Sequence, residues 1–393
     1  MKLLALLATL EVCCAAGRHP EHRLHLHSAP EHGSVLELGG TSSSAAEQQS
    51  SSSSNTGSGK PSGTSISSSI IPVFADLGGS YEPHWLHEVV LSGVREECGV
   101  SLKLERREDL AALFPTHGGV LVATGGLGPG EEQLLRELPL QQTQRMVLLH
   151  LSDESNSHNT GIYERFGAVY RNYYRSNVNQ SMSYLSLEEG SSEPGHAREL
   201  KAGSSANVFW MPLGYGMRLL KNPSLMTPAA SRPLLFSWSG STSGKEDRIK
   251  MLQALREAPD VLERGFLDKF DNFNAGGKDT PSSYTAMLYN SSIIPCPRGI
   301  HAEQFRIWEA LEVGALPVVL DEDQHSHLER IGLRLPKVKS WAALPEFLRE
   351  WGQPEMAGKL DTLSAELHDS WRLLKTRLRK HVGKTVCALA MGD

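Results

Sequence analysis

Short apolar runs alternate with segments of helical period from residue 70 to near the end of the chain. Ile70 to Phe74, Val100 to Leu104, Gly119 to Thr124 and Arg145 to Leu151 read as strands, followed by Val208 to Met211. Between them Trp85 to Cys98, Glu108 to Leu113 and Glu131 to Leu138 place apolar residues at three- and four-residue spacing, the period of a helix. The stretch between Leu151 and Val208 is irregular. A second set follows. Leu234 to Trp238, Ser292 to Cys296 and Ala315 to Leu320 read as strands. Lys245 to Glu257, Tyr284 to Tyr289 and His301 to Val313 read as helices, with two closing helices at Trp341 to Trp351 and Met356 to His381. Strands alternating with helices predict βαβ units and parallel sheets. The Pro- and Gly-rich stretch Pro212 to Pro233 divides the two sets. The pattern predicts an α/β protein of two Rossmann-like domains, residues 70–220 and 221–382, with parallel sheets facing a cleft. Ligands in such sheets bind beyond the C-terminal strand ends.

The first 69 residues follow neither pattern. Lys2, the apolar run Leu3 to Leu10 and the small residues Cys14-Ala15-Ala16 form a targeting segment over residues 1–16. Its apolar run is too short to cross a ~30 Å hydrocarbon core, so a cleaved signal peptide is expected, with a short uncleaved anchor as the alternative. Residues 17–69 are histidine-, serine- and glycine-rich, too poor in apolar side chains to repay chain entropy, and read as a disordered stem. A membrane contact is expected only through an uncleaved anchor.

The net charge of −6 gives no reason to expect nucleic acid as a partner, because a phosphate backbone demands a basic footprint. The basic stretch Arg372 to His381 reads as a solvated helix face. Five cysteines are present. Cys13 and Cys14 leave with a cleaved signal, and Cys98, Cys296 and Cys387 allow at most one internal disulfide and a free thiol. No Cys/His cluster has zinc-ligand spacing. Sequons at Asn179 and Asn290 add weight to a secretory location, in the Golgi lumen or its membrane.

The chemistry concentrates between Tyr284 and Asp323. A strand ends in Cys296-Pro297-Arg298-Gly299, and the expected helix carries Arg306, Trp308 and Glu309 before ending at Gly314. Gly299 lets backbone approach an anion closely, and a helix start after it would present free N–H groups. Arg298 can bridge phosphate oxygens with its planar fork. Glu309 can accept hydrogen bonds from ribose hydroxyls. Trp308 reads as core. Ahead of this stretch, Ser237-Trp238-Ser239-Gly240-Ser241 leads from a strand toward a helix bearing Lys245 and Arg248, a second place for a diphosphate. It is neither a Walker motif nor a nucleophile elbow.

The ordered set Cys296-Pro297-Arg298-Gly299, Phe305-Arg306-Ile307-Trp308-Glu309-Ala310-Leu311-Glu312-Val313-Gly314 and Leu316-Pro317-Val318-Val319 resembles the exostosin family of glycosyltransferases. It is similar also to the wider two-Rossmann class called GT-B, where the glutamate before alanine on this helix holds the donor ribose, a role the resemblance gives to Glu309. Many retaining members carry a second glutamate eight positions earlier. His301 stands there, with Glu303 nearby, which favours inverting chemistry. In the first half His150-Leu151-Ser152-Asp153-Glu154, Val169-Tyr170-Arg171-Asn172-Tyr173-Tyr174 and Pro212-Leu213-Gly214-Tyr215-Gly216 resemble the exostosin-related ribitol xylosyltransferases.

The resemblance implies an inverting transferase moving a hexose or pentose from a nucleotide-sugar, a UDP-sugar first, to a hydroxyl of a glycan or glycoconjugate. Other GT-B transferases (fucosyl- or retaining hexosyl-) and a non-catalytic glycan-binding protein on the same scaffold are the alternatives. Such a reaction needs a base and cations for the leaving diphosphate. Asp153, just past a buried strand, is the expected base, and Arg298 the expected catalytic cation. Gly240, Lys245, Arg248, Arg298, Gly299, Arg306 and Glu309 are the expected donor-binding residues. No cofactor is required in this reading, and a divalent metal is not expected. Asp321-Glu322-Asp323 reads as solvated or acceptor-side, and the loop histidines His325 and His327 as bystanders.

Overall fold

A computed structural model describes residues 70–75, 82–112, 118–188, 207–270 and 280–391. The expected signal and stem, residues 1–16 and 17–69, lie outside the described residues.

The first sheet has six parallel strands, β1 (Ile70–Ala75), β2 (Ser101–Arg106), β3 (Gly119–Thr124), β4 (Met146–Leu151), β5 (Ala168–Arg171) and β6 (Val208–Trp210), in the order β2-β1-β3-β4-β5-β6. The second has five, β7 (Leu234–Ser241), β8 (Gly265–Phe270), β9 (Ser291–Pro295), β10 (Leu316–Leu320) and β11 (Lys337–Val338), in the order β11-β10-β9-β7-β8. Every residue of β4 and β9 is buried, as expected of strands covered on both faces. The order reverses between β1 and β3 in one sheet and between β7 and β9 in the other. These are the switch points where crevices open.

Three consecutive segments, Pro83–Trp85, Leu86–Leu91 in the wider i→i+5 form and Ser92–Cys98, make one helix, α1. The other long helices are α2 (Pro129–Glu137), α3 (Glu246–Arg256), α4 (Pro281–Tyr289), α5 (Phe305–Glu312), α6 (Leu344–Trp351) and α7 (Ala357–Met391). Pro129 opens α2, where its missing N–H costs nothing, and the Glu131 carboxylate accepts from the Gly128 N–H at 2.7 Å. Glu246 and Asp247 occupy the first turn of α3 and Arg256 its last, matching the helix dipole.

The closing helix reaches further than expected and serves both halves. Trp371 of α7 stacks on Trp85 of α1 at 5.3 Å, and the Tyr170 hydroxyl of β5 meets His381 Nδ1 at 2.6 Å. The crossing of α7 on α1 is close because Gly93 meets Gly383. A methyl on Gly93 would stand 2.2 Å from the Arg379 carbonyl oxygen. A disulfide joins Cys98 to Cys387 at this crossing, and Cys296 is a buried free thiol, within the limit set by the cysteine count.

Three strands depart from the sequence reading. β5 lies inside the stretch expected to be irregular. It has only four residues and carries Arg171, whose burial depends on an acid partner. β8 is a polar edge strand, with Phe266 exposed. β11 has two residues. The helix expected from His301 begins only at Phe305. The Gly299 N–H donates to the His301 carbonyl at 3.1 Å, the Glu303 N–H donates to His301 Nδ1 at 3.0 Å, and the Gln304 amide donates to the carbonyls of Cys296 and Pro297. These bonds stitch residues 299–304 into a loop, so Gly299 does not sit at a helix start.

Candidate functional site

The C-terminal edges of β7 and β9 carry the site. Arg248 of α3 turns back under β7. Its Nη1 donates to the Ser241 carbonyl at 2.8 Å and its Nη2 to Gln304 Oε1 at 3.2 Å, while its Nε is buried without a hydrogen-bond partner. Arg306 of α5 donates through Nη2 to the Ser239 carbonyl and lies 5.5 Å from the Trp238 ring centroid. Its Nη1 is likewise buried and unpartnered. Burial, then the neighbouring Arg306 charge, lower the Arg248 guanidinium to about 10, and Glu154 opposes them. Two like charges held close, each with an idle buried N–H, form a site for an anion of more than one charge.

At Gly299 two charged side chains come close to the backbone. A methyl placed on it would stand 3.2 Å from Arg248 Nη2 and 3.2 Å from Glu154 Oε1. The first half thus reaches the same spot through Glu154. Glu309 is buried between the halves, accepting from the Gly216 N–H at 3.3 Å and the Tyr284 hydroxyl at 2.5 Å. Burial raises its carboxyl above the usual range, against Arg306.

The remaining expected residues fall elsewhere. Gly240 is a strand residue paired with Lys269. The space its Cβ would take is filled by the Trp238 ring, 2.8 Å away, so packing accounts for this glycine. Lys245 precedes α3 and donates to the Ser243 carbonyl at 3.3 Å. Arg298 is exposed and bonds the Ile300 carbonyl at 3.3 Å. It is not held by Glu303, which is fully buried and accepts from the Leu213 N–H at 2.9 Å and Trp210 Nε1 at 3.3 Å. Trp308 is core, as expected. Asp321 is exposed and pairs with Lys337 at 3.6 Å.

Asp153 is 1% exposed and engaged through both carboxylate oxygens. Its Oδ1 accepts from the N–H groups of Ser157 at 2.9 Å and His158 at 3.2 Å, and its Oδ2 from Arg171 Nη2 at 3.0 Å. Three of its roughly four acceptor positions are filled by the chain itself, and its burial leaves little access for an acceptor hydroxyl. His150, Asp153 and His158 bring three ligand-type atoms within 4.8 Å of one another. His150 Nε2 faces His158 Nδ1 at 3.0 Å with the two rings stacked nearly parallel, Oδ1 of Asp153 has two N–H donors, and Arg171 stands behind it. These contacts form a hydrogen-bonded chain, continued to the Tyr163 hydroxyl.

The backbone marks the same edge. Ser152, Asn156 and Tyr173 all have positive φ, and they follow the ends of β4 and β5. Side chains hold this strain. Ser152 donates through its N–H to Asn172 Oδ1 at 3.1 Å and through its hydroxyl to Glu82 Oε1 at 2.7 Å. Strain of this kind concentrates at functional sites. Nothing in the one-dimensional pattern announces it, since none of the three is glycine.

Buried titrating groups at this interface predict a pH response. Burial lowers His150 to about 3 and His325 to about 4, holds His327 well below its usual value, and raises Glu303 to about 7. Each histidine takes a proton near pH 6.5 when unfolded but not when folded. Its stabilisation is therefore present above 6.5 and lost as pH falls. Glu303 works oppositely, its stabilisation being present below 4.5 and lost as pH rises through about 7. Among these four groups the histidines outnumber the acid, so falling pH between 6.5 and 5 is destabilising. Urea unfolding at pH 7 and pH 5 measures this. Equal midpoints would mean that the histidines are charged in the fold.

Residues 219–376 match the family model described as the RXYLT1 C-terminal domain. The match holds all of the second sheet and its site and bears out a likeness to ribitol xylosyltransferases there, while the first-half pieces that carried that resemblance lie outside it. No curated protein matches the chain significantly. Among solved structures, the chain is similar to AviGT4, a glycosyltransferase involved in avilamycin A biosynthesis. The identity is 13%, with 82% of this chain and 98% of that one covered, at a TM-score of 0.38. It is similar to the glycosyltransferase SnogD from Streptomyces nogalater at 14% identity, covering 82% and 99%, with a TM-score of 0.33. The GtfA/B complex matches at 12% identity over 67% of this chain, which spans 60% of the chain it matches there, with a TM-score of 0.35. The fold consists of two parallel α/β sheets, and residues 219–376, which hold the second of them, are similar to the RXYLT1 C-terminal domain.

Proposed function

We propose that this protein is a glycosyltransferase that takes a sugar from a nucleotide-sugar, a UDP-sugar first, and transfers it with inversion to a hydroxyl of a glycan or glycoconjugate. The observation that carries the reading is the convergence of Arg248 and Arg306 at the β7/β9 switch point, each with a buried N–H that no protein group fills. A diphosphate supplies the acceptors and the charge this pair lacks. The match of residues 219–376 supports the same reading. Arg298, exposed beside Gly299, can close on the diphosphate from the rim. Glu309 takes the ribose hydroxyls, since each of its oxygens has one protein donor and can accept another.

The Cys98–Cys387 disulfide supports an oxidising compartment and hence the lumen of the secretory pathway. No described helix is long and apolar enough to cross a membrane.

With two guanidinium groups placed for the diphosphate, catalysis needs no metal. A screen of UDP- and GDP-sugars, scoring nucleotide release and transfer to glycan acceptors, tests the reading. Release from at least one donor, reduced less than twofold by EDTA, is the expected result. Silence with every donor would refute the transferase reading. Activity lost in EDTA and restored by manganese would refute the metal-free mechanism.

A further inference from the structure

We infer that Glu154, one residue beyond the expected Asp153, is the general base of this site; the inference rests on the donor reading above. The two neighbours have opposite environments. Asp153 is buried and accepts three hydrogen bonds from the chain. Glu154 is half-buried, its carboxylate accepts no hydrogen bond among the described residues, and its Oε1 stands over Gly299 beside Arg248. Among the described residues it is a first-half carboxylate placed beside Arg248 at Gly299.

The turn that presents it is rigid. The Asn156 N–H donates to the Asp153 carbonyl at 3.0 Å, closing a turn with Glu154 at its second position. Arg171 ties both ends of that turn, donating to Asp153 Oδ2 at 3.0 Å and Asn156 Oδ1 at 2.9 Å. Ser157 and His158 add their N–H groups to Asp153. Asp153 is thus the positioning residue and Glu154 the reactive one, the division of labour a preorganised site requires.

The step balances without a cofactor. As the acceptor oxygen bonds to the anomeric carbon, the bond from that carbon to the phosphate oxygen breaks. The electron pair leaves with the nucleoside diphosphate, held by Arg248 and Arg306, and the hydroxyl proton passes to the Glu154 carboxylate. With water as acceptor the same step is donor hydrolysis. Before the donor arrives, Glu154 lies against the Arg248 charge. A bound diphosphate takes that charge over and leaves the carboxylate to the acceptor.

The test compares the full-length wild type with Glu154→Gln and Glu154→Ala. UDP release is followed from UDP-glucose, UDP-galactose, UDP-xylose and UDP-N-acetylglucosamine, with UDP affinity by calorimetry. Glu154→Gln is expected to bind UDP within threefold of wild type, with turnover lowered ~10²–10⁴-fold and the donor KM within threefold. Sodium formate or azide should restore part of the turnover of Glu154→Ala and none of Glu154→Gln, which a merely structural role would not produce. A wild type that turns over donor, with Glu154→Gln within threefold of it, overturns the base assignment and leaves the donor reading standing. A wild type that neither binds UDP nor releases it from any donor overturns both.

Discussion

Asp153→Ala is expected to destabilise the protein by about 3–5 kcal/mol, although Asp153 stands beside the proposed base. Its side chain neutralises Arg171, which is 0% exposed and ends β5. Without it a guanidinium remains buried with no counter-charge, and the N–H groups of Ser157 and His158 lose their acceptor. An unmatched buried charge and orphaned donors cost far more than the net worth of the pair. Asp153→Asn keeps the shape and loses the charge, so it should fall between. Glu154→Gln, partly exposed and with no side-chain hydrogen bond among the described residues, should lie within about 0.5 kcal/mol of wild type. Urea unfolding with unchanged m-values measures all three. A loss under 1 kcal/mol in Asp153→Ala would show that Asp153 is not the anchor of the turn.

The second large effect is on turnover. Arg248→Ala and Arg306→Ala are each expected to lower it ~10²–10³-fold, the usual cost of removing one preorganised group aimed at developing charge. The basis is their geometry before any ligand arrives. The Ser239 and Ser241 carbonyls and Gln304 hold the two guanidiniums in place, so little reorganisation accompanies departure of the diphosphate. Arg248→Lys keeps a charge but loses the fork that spans Ser241 and Gln304, and should fall well below wild type. Arg298→Ala, exposed and bonded through Ile300 alone among the described residues, should cost less than either. Steady-state kinetics with the best donor of the screen decides the order. A larger loss in Arg298→Ala than in Arg248→Ala would return the leading role to the Cys296-Pro297 turn.

The two parallel sheets were legible because their central strands are covered on both faces and must be apolar throughout. β4 and β10 announce themselves in this way. β5 did not, because four residues ending in a buried arginine carry no hydrophobic signal; Arg171 is inside only because Asp153 is. The same pairing misled the choice of base. From sequence Asp153 and Glu154 are equivalent acids beyond a buried strand, and only the turn closed by Asn156 tells which one faces Gly299. Glycines were ambiguous for a related reason. Gly299 makes room for two charged side chains from different elements, whereas Gly240 makes room for its own strand's Trp238. Arg306 and Glu309 were legible because one helix face fixes them together. The helix start ahead of them was not, since its first turn is replaced by side-chain bonds of His301 and Gln304.

The central claim is that the Arg248–Arg306 pair at the β7/β9 edge is built for a nucleoside diphosphate. Calorimetric titration of UDP into the full-length protein, with EDTA present, tests it most directly when run beside the Arg248→Ala/Arg306→Ala double variant. The account predicts saturable binding by the wild type and at least a hundredfold weaker binding by the folded double variant. Equal affinity in the two proteins, or no binding by the wild type, would contradict it.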